Sequence, residues 1–184
     1  MGVVVVRKDL KRDHMKEERS TNEDFPLYSQ DGIIVRRSNQ FDINDMADRL
    51  RESDVKEIWY SHHETPRQAL YKCVNQSIWS ATIENGRPIG IFGVTPSDKL
   101  LGYKGTVFML ATNDLDKISR RFVRNSRKMV DYMLEFYPIL ENYVHNMNIK
   151  SITWLEWLGA KIYPARPYGL DNQLFRYFTF KKEK

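Results

Sequence analysis

The sequence predicts an α/β (α+β) domain, a mixed central sheet flanked by helices. Three observations carry that prediction. Runs with strand-like alternation and runs with helical spacing follow one another along the chain. Asn85-Gly86, the strongest short hairpin signal, joins two of the strand-like runs. Thr106–Ala111 (TVFMLA) is nearly continuous in apolar residues, as expected of a central strand buried on both faces.

The elements follow in order. Residues 1–30 form a polar amino-terminal arm, and residues 31–184 the domain. Between Arg7 and Asp24 six basic residues face six acidic ones, with too little apolar surface to fold alone. The β-branched run Val3–Val6 is suited to adding a strand to an exposed sheet edge. Ile33-Ile34-Val35 reads as a short strand. Asn44 is the expected cap of a helix through Met46, Ala47 and Leu50, ending near Ser53. Thr65-Pro66 opens the next helix, which runs to about Ser77, because the hydroxyl caps and proline at the first position loses no bond.

Ile78–Glu84 and Pro88–Val94 are the hairpin strands, and Thr106–Ala111 follows. Asn113 or Asp114 opens a long helix to about Tyr137, with Ile118, Phe122, Met129, Met133 and Phe136 as its buried stripe. Leu140–Val144 is a strand. Ile149–Leu158 is an apolar helix ended by Gly159, and Lys161–Tyr163 and Gln173–Phe180 supply the last strands.

Composition sets bounds on function. The 184 residues suffice for one domain with a sizeable core, and 41% hydrophobic and 29% charged content is ordinary for a globular chain. No apolar run approaches the ~20 residues of a membrane span. The single Cys73 forms no internal disulfide and falls in line with Ala69, Leu70 and Val74, so a small buried apolar role is expected of it. The net charge of +5 permits contact with nucleic acid or acidic proteins without demanding it. His62-His63-Glu64 is read as a solvated loop, since adjacent histidines point to different faces and no metal cluster accompanies them. Trp154 and Trp157 on the closing helix are assigned to core packing.

The stretch Asn148-Ile-Lys-Ser-Ile-Thr-Trp-Leu-Glu-Trp-Leu-Gly159-Ala-Lys-Ile has the asparagine, short helix, Leu-Gly and strand that close one known fold. Together with the element order, it makes residues 31–180 resemble the GNAT superfamily of acyl-CoA-dependent N-acetyltransferases. Phe108-Met-Leu-Ala-Thr, Phe122, Ser126-Arg127, Tyr132-Met-Leu, Tyr137, Leu140, Asn142, Val144 and Asn148 resemble a branch of that superfamily encoded by short-tailed bacteriophages. That branch includes acetyltransferase-like proteins and small internal virion or assembly proteins.

The resemblance implies a central strand splayed from its neighbour to hold pantetheine, and a glycine-rich turn that wraps the pyrophosphate at a helix N-terminus. It also implies a carboxylate base and a tyrosine acid. If acetyl-CoA binds, the positions it implies are Leu110, Ala111, Arg120, Arg121, Arg124 and Asn148. The chain departs from the pattern in three places. Ala111 to Ser126 contains no glycine and places Asp114 and Asp116 where a pyrophosphate would lie. Leu155 stands where the tyrosine is usual, leaving Tyr143, Tyr163 and Tyr168 as substitutes that nothing in the sequence positions. The central strand carries no carboxylate.

Lys117, Arg120, Arg121, Arg124, Arg127 and Lys128 recur at three- and four-residue spacings and share a helix face. Read blandly, this is a solvated face; read functionally, it is a site for an anionic partner or phosphate. The leading expectation is a non-catalytic virion structural or assembly protein, a pseudoenzyme. It would be made in the host cytoplasm, become virion-associated and contact other phage virion proteins through its arm. The alternatives are an acetyl-CoA-dependent N-acyltransferase and a nucleic-acid contact module. No catalytic residue, cofactor or metal is assigned under the leading expectation.

Overall fold

The structure, a computed structural model, describes residues 28–30, 32–97 and 102–182, with the side chains at 28, 30 and 119–123 outside that description. Residues 1–27 of the expected arm, and the side chains of Arg120, Arg121 and Phe122, therefore lie outside the described residues.

Nine strands make one sheet among the described residues. Their order is β1 (Tyr28–Gln30), β2 (Ile33–Arg37), β3 (Trp79–Glu84), β4 (Pro88–Pro96), β5 (Lys104–Ala111), β6 (Ile139–His145), β9 (Gln173–Lys181) and β7 (Lys161–Ile162). The short β8 (Arg166–Tyr168) also pairs with β9. All pairs are antiparallel except β5 with β6. Helices α1 (Gln40–Met46), α2 (Glu52–His62) and α3 (Pro66–Gln76) precede β3; α4 (Ser119–Met133) joins β5 to β6 and α5 (Ile149–Trp157) joins β6 to β7.

Side-chain alternation on β5 sends Phe108 and Leu110 to one face, where they meet Ile43, Met46, Ile58 and Leu70 of α1–α3. Val107 and Met109 face the other way, toward Val130 and Met133 of α4 and Leu155 of α5. The expected Asn85-Gly86 hairpin forms, with Trp79↔Val94 to Ile83↔Gly90 in register. The Thr65 start of α3 is also as expected. Its hydroxyl accepts from Gln68 N–H and the Gln68 side chain accepts from Thr65 N–H, a full capping box.

Several expectations are corrected. The first helix begins at Asn39, whose side chain accepts from Asp42 N–H while Asp42 accepts from Asn39 N–H; Asn44 lies inside the helix. Asp42 also satisfies Arg36 and Thr82, so a buried network fixes this end as well as local capping. α1 ends at Met46 rather than near Ser53, and α2, from Glu52 to His62, is an element the sequence pattern does not announce. Only Asp54 and Ile58 of α2 are buried, so its apolar periodicity is faint. His62 ends α2 and His63, at φ 52°, is its C-cap, which replaces the expected free loop.

The long helix from Asn113 is instead a 3-10 turn, Asn113–Ile118, followed by α4. Trp157 is 54% exposed, not core, while Trp154 packs against the core and donates from Nε1 to Ser126 Oγ at 3.3 Å. The strands β1 and β8, three residues each, carry too little pattern to be foreseen. The Gly159 cap is confirmed at φ 90°, a left-handed conformation that glycine adopts without a Cβ clash.

Candidate active site

The parallel ladder between β5 and β6 is only three pairs long: Lys104↔Ile139, Gly105↔Leu140 and Thr106↔Glu141. β5 nevertheless stays paired with β4 to Ala111, and β6 with β9 to His145. The two central strands therefore part after Thr106 and leave a wedge between them. Thr112 N–H bonds Ile89 C=O on the β4 side. Backbone groups alternate along a strand, so those of Val107, Met109 and Ala111 turn toward the wedge. Thr106–Ala111 is packed on both faces, as expected, but not completely buried. Val107 and Met109 are half-buried and line a cavity of about 120 Å3 with Asn142, Tyr143 and Trp154.

Helix α2 closes the far end of the wedge. Its Asp54 accepts from Ala111 N–H through Oδ2 (2.8 Å), and Arg51 N–H donates to Ala111 C=O (2.9 Å). One turn on, Glu57 Oε1 accepts from His145 N–H (3.2 Å) and from Asn148 Nδ2 (2.7 Å). Residues three apart share a helix face, so one face of α2 ties the ends of both splayed strands. Arg51, Asp54 and Glu57 all line the cavity.

Burial dominates the electrostatics here. It pushes the Glu57 carboxyl up to about 7, against the bonds from Asn148 and His145 that favour the ionised form, and the nearby Asp54 pushes the same way. Burial also raises Asp54, although Arg51 Nε at 2.8 Å and the Ala111 amide oppose it. The result is a carboxyl poised near neutrality beside an open cavity, the property required of a general base. On β6, Tyr143 stacks on Tyr168 with ring centroids 3.8 Å apart, and the His145 ring centroid lies 5.3 Å from that of Tyr60 on α2.

The residues singled out from sequence fall in different places. Asn148 is at the site, where it caps α5 by accepting from Ser151 N–H and holds Glu57. Ala111 is at the site with its backbone engaged by α2. Leu110 packs with the α1–α3 core rather than facing the wedge. Arg124 and Lys128 are exposed on α4. Two of the basic residues have structural partners: Lys117 pairs with Asp114 at 2.7 Å, and Arg127 Nη2 donates to Leu158 C=O at the end of α5. Asp114 also has Arg49 at 3.7 Å, and Asp116 has Lys150 at 2.5 Å. The two acids at the 3-10 turn are thus neutralised within the chain.

The Tyr163 ring, just past β7, lies 5.3 Å from that of Tyr177 on β9. Cys73 is packed against the α1–α3 core with its thiol pushed up to about 12 by burial, consistent with a packing role. His63 pairs with Asp171 at 2.6 Å, and no group of three or more metal-ligating side chains occurs among the described residues. No helix among the described residues is long and apolar enough to cross a membrane.

Asp54 and Glu57 were missed from sequence because they stand in a helix of weak periodicity. The only signal was their i,i+3 spacing, which any surface helix can show.

A sheet splayed between two parallel central strands, with helices on both faces, is the GNAT acetyltransferase fold, and comparison with solved structures bears this out. Ribosomal-protein-S5-alanine acetyltransferase from Vibrio fischeri superposes with a TM-score of 0.64 at 14% identity, over 89% of this chain and 98% of that one. Spermidine N-acetyltransferase from Vibrio cholerae, solved with CoA and spermine, gives 0.61 at 11% identity over 83% and 96%. Ard1 from Thermoplasma volcanium gives 0.61 at 13% identity over 83% and 99%. No family model and no curated protein matches the chain by sequence.

Proposed function

We propose that the protein is an acyl-CoA-dependent N-acyltransferase, acetyl-CoA being the natural donor. The observation that carries the reading is the wedge: an open cavity between β5 and β6 with the Glu57 carboxyl, poised near 7, at its closed end. The virion structural role expected from the sequence gives no use for the wedge, which stays open among the described side chains.

The residues present suit the donor in part. The pantetheine arm carries amides, and the backbone of Met109 offers it a donor and an acceptor on the wedge side of β5. A glycine cradle for the pyrophosphate is missing from the 3-10 turn. With Asp114 and Asp116 already neutralised, that role falls to cationic side chains of α4, of which Arg124 is exposed. Bound acyl-CoA supplies the acyl group as a thioester.

The chain's own contribution is positional and acid–base. Glu57 is held by Asn148 Nδ2 and His145 N–H, so its carboxyl has a fixed direction. It takes the proton that the acceptor amine loses as the C–N bond forms. The C–S bond breaks, the leaving thiolate takes a proton from water, and Glu57 returns its proton to the hydroxide so formed, which restores the carboxylate. Arg51 and Asp54 keep the end of β5 in place beside it.

Calorimetric titration with acetyl-CoA tests the reading. Submillimolar binding that weakens on Arg124→Ala, with thiol released when a primary amine is added, is the expected result. Absence of heat and of thermal stabilisation at millimolar acetyl-CoA would sink it.

A further inference from the structure

The ladder between β5 and β6 does not simply run out. Continuing the register of Gly105↔Leu140 and Thr106↔Glu141 places Val107 opposite Asn142. In a parallel ladder the next bond would run from Tyr143 N–H to Val107 C=O. Neither group makes it. Tyr143 N–H donates instead to Asn142 Oδ1 at 2.7 Å, and Val107 C=O accepts from Asn142 Nδ2, also at 2.7 Å. The side-chain amide is inserted in series into a single rung. Two hydrogen bonds and the width of an amide now span what one bond would, and the strands are held apart at the first position beyond the ladder.

We propose that Asn142 is the positioning residue that sets the width of the wedge and so decides whether the acyl-CoA arm can enter between Val107 and Tyr143. Asparagine suits the task because it offers one donor and one acceptor from a short, planar group. An apolar residue at 142 would leave a carbonyl and an amide facing each other across the gap, and they would pair directly. Aspartate would keep the acceptor for Tyr143 N–H but turn a second oxygen on the Val107 carbonyl. Asn142 lies on the same face of β6 as Leu140 and Val144, which pack in the core between the sheet and α4–α5, so its side chain stays within the wedge. The role rests on the acyltransferase reading for its consequence, but not for its geometry.

The test therefore separates the two. Through-hydrogen-bond NMR couplings on the full chain should connect Asn142 Nδ2 to the Val107 carbonyl carbon in the wild type. In Asn142→Ala they should connect the Tyr143 amide nitrogen to that same carbon. Titration with CoA should show at least a ten-fold loss of affinity in Asn142→Ala and Asn142→Asp, with the thermal midpoint of the alanine variant no lower than that of the wild type. A role confined to folding would lower the midpoint and spare the affinity of the folded fraction. The inference is overturned if Asn142→Ala shows no Tyr143–Val107 coupling, or binds CoA as tightly as the wild type. If the wild type itself takes up no CoA, the acyltransferase reading falls, and the couplings still decide whether Asn142 holds the strands apart.

Discussion

At the scale of single residues, Glu57 carries the most chemistry and the clearest pH signature. Its carboxyl, raised by burial from an ordinary 4.5 to about 7, is protonated at mildly acidic pH and ionised above neutrality. Acyl transfer that uses it as a base rises with pH through about 7. Glu57→Gln keeps an oxygen for Asn148 and His145 but cannot take a proton, so turnover should fall by about 10²–10⁴-fold. The rise near pH 7 should vanish with it, and steady-state rates from pH 5.5 to 8.5 would show both effects.

Stability moves the other way. A group whose folded-state value is raised stabilises the fold below its unfolded value, and that stabilisation is lost as pH climbs from about 4.5 to about 7. Glu57→Gln removes the loss, so above pH 7 the variant should melt higher than the wild type, by on the order of 1–3 kcal/mol. A variant that is inactive yet more stable is the pattern expected of a base kept for function. Equal or lower stability at pH 8 would contradict the burial argument.

The elements show which local signals were readable. The Thr65-Pro66 start, the Asn85-Gly86 hairpin and the Gly159 stop were visible because each depends on residues within a few positions. The start of α1 was misplaced from Asn39 to Asn44 because both are good caps, and the buried Asp42–Arg36–Thr82 network that selects between them is long-range. Asn39→Ala should therefore cost about 1 kcal/mol, the usual value of a lost cap. Asn44→Ala, at a position inside the helix, should cost less. Urea denaturation of the two variants distinguishes them. The same locality explains Trp157: on pattern it belongs to the apolar helix, but α5 turns that face outward and leaves it more than half exposed.

For the whole molecule, α2 is the keystone of the site. Its middle ties Ala111 and His145, the ends of the splayed strands, and its end meets the turn between β8 and β9. There Leu170 N–H donates to Ser61 C=O and Asp171 N–H to Tyr60 C=O, and a Cβ on Gly169 would stand 2.4 Å from the Tyr60 oxygen. Gly169 also has φ 76°, so any side chain there is both strained and obstructed. Gly169→Ala should destabilise the fold by about 2 kcal/mol or more. It should also raise amide exchange at Leu170, Asp171 and His145 together, as the outer hairpin and the wedge loosen as one. Exchange confined to the hairpin would show that α2 does not couple them.

The sequence by itself determined the mixed α/β class, the order of most strands and helices, and the closing run from Asn148 to Gly159, because caps, turns and apolar periods are short-range properties. It also exposed the missing glycines and the absent tyrosine of the GNAT pattern. Taken alone, those gaps pointed away from catalysis. Only the tertiary structure brought Glu57 and Asp54 to the ends of β5 and β6 and put the Asn142 amide between Val107 and Tyr143. Burial then raised one carboxyl into the range of a base. Tyr143 aside, which adjoins Asn142, those partners lie from 35 to 88 residues apart along the chain, and a group's environment at such a separation is fixed by packing, which no local pattern encodes.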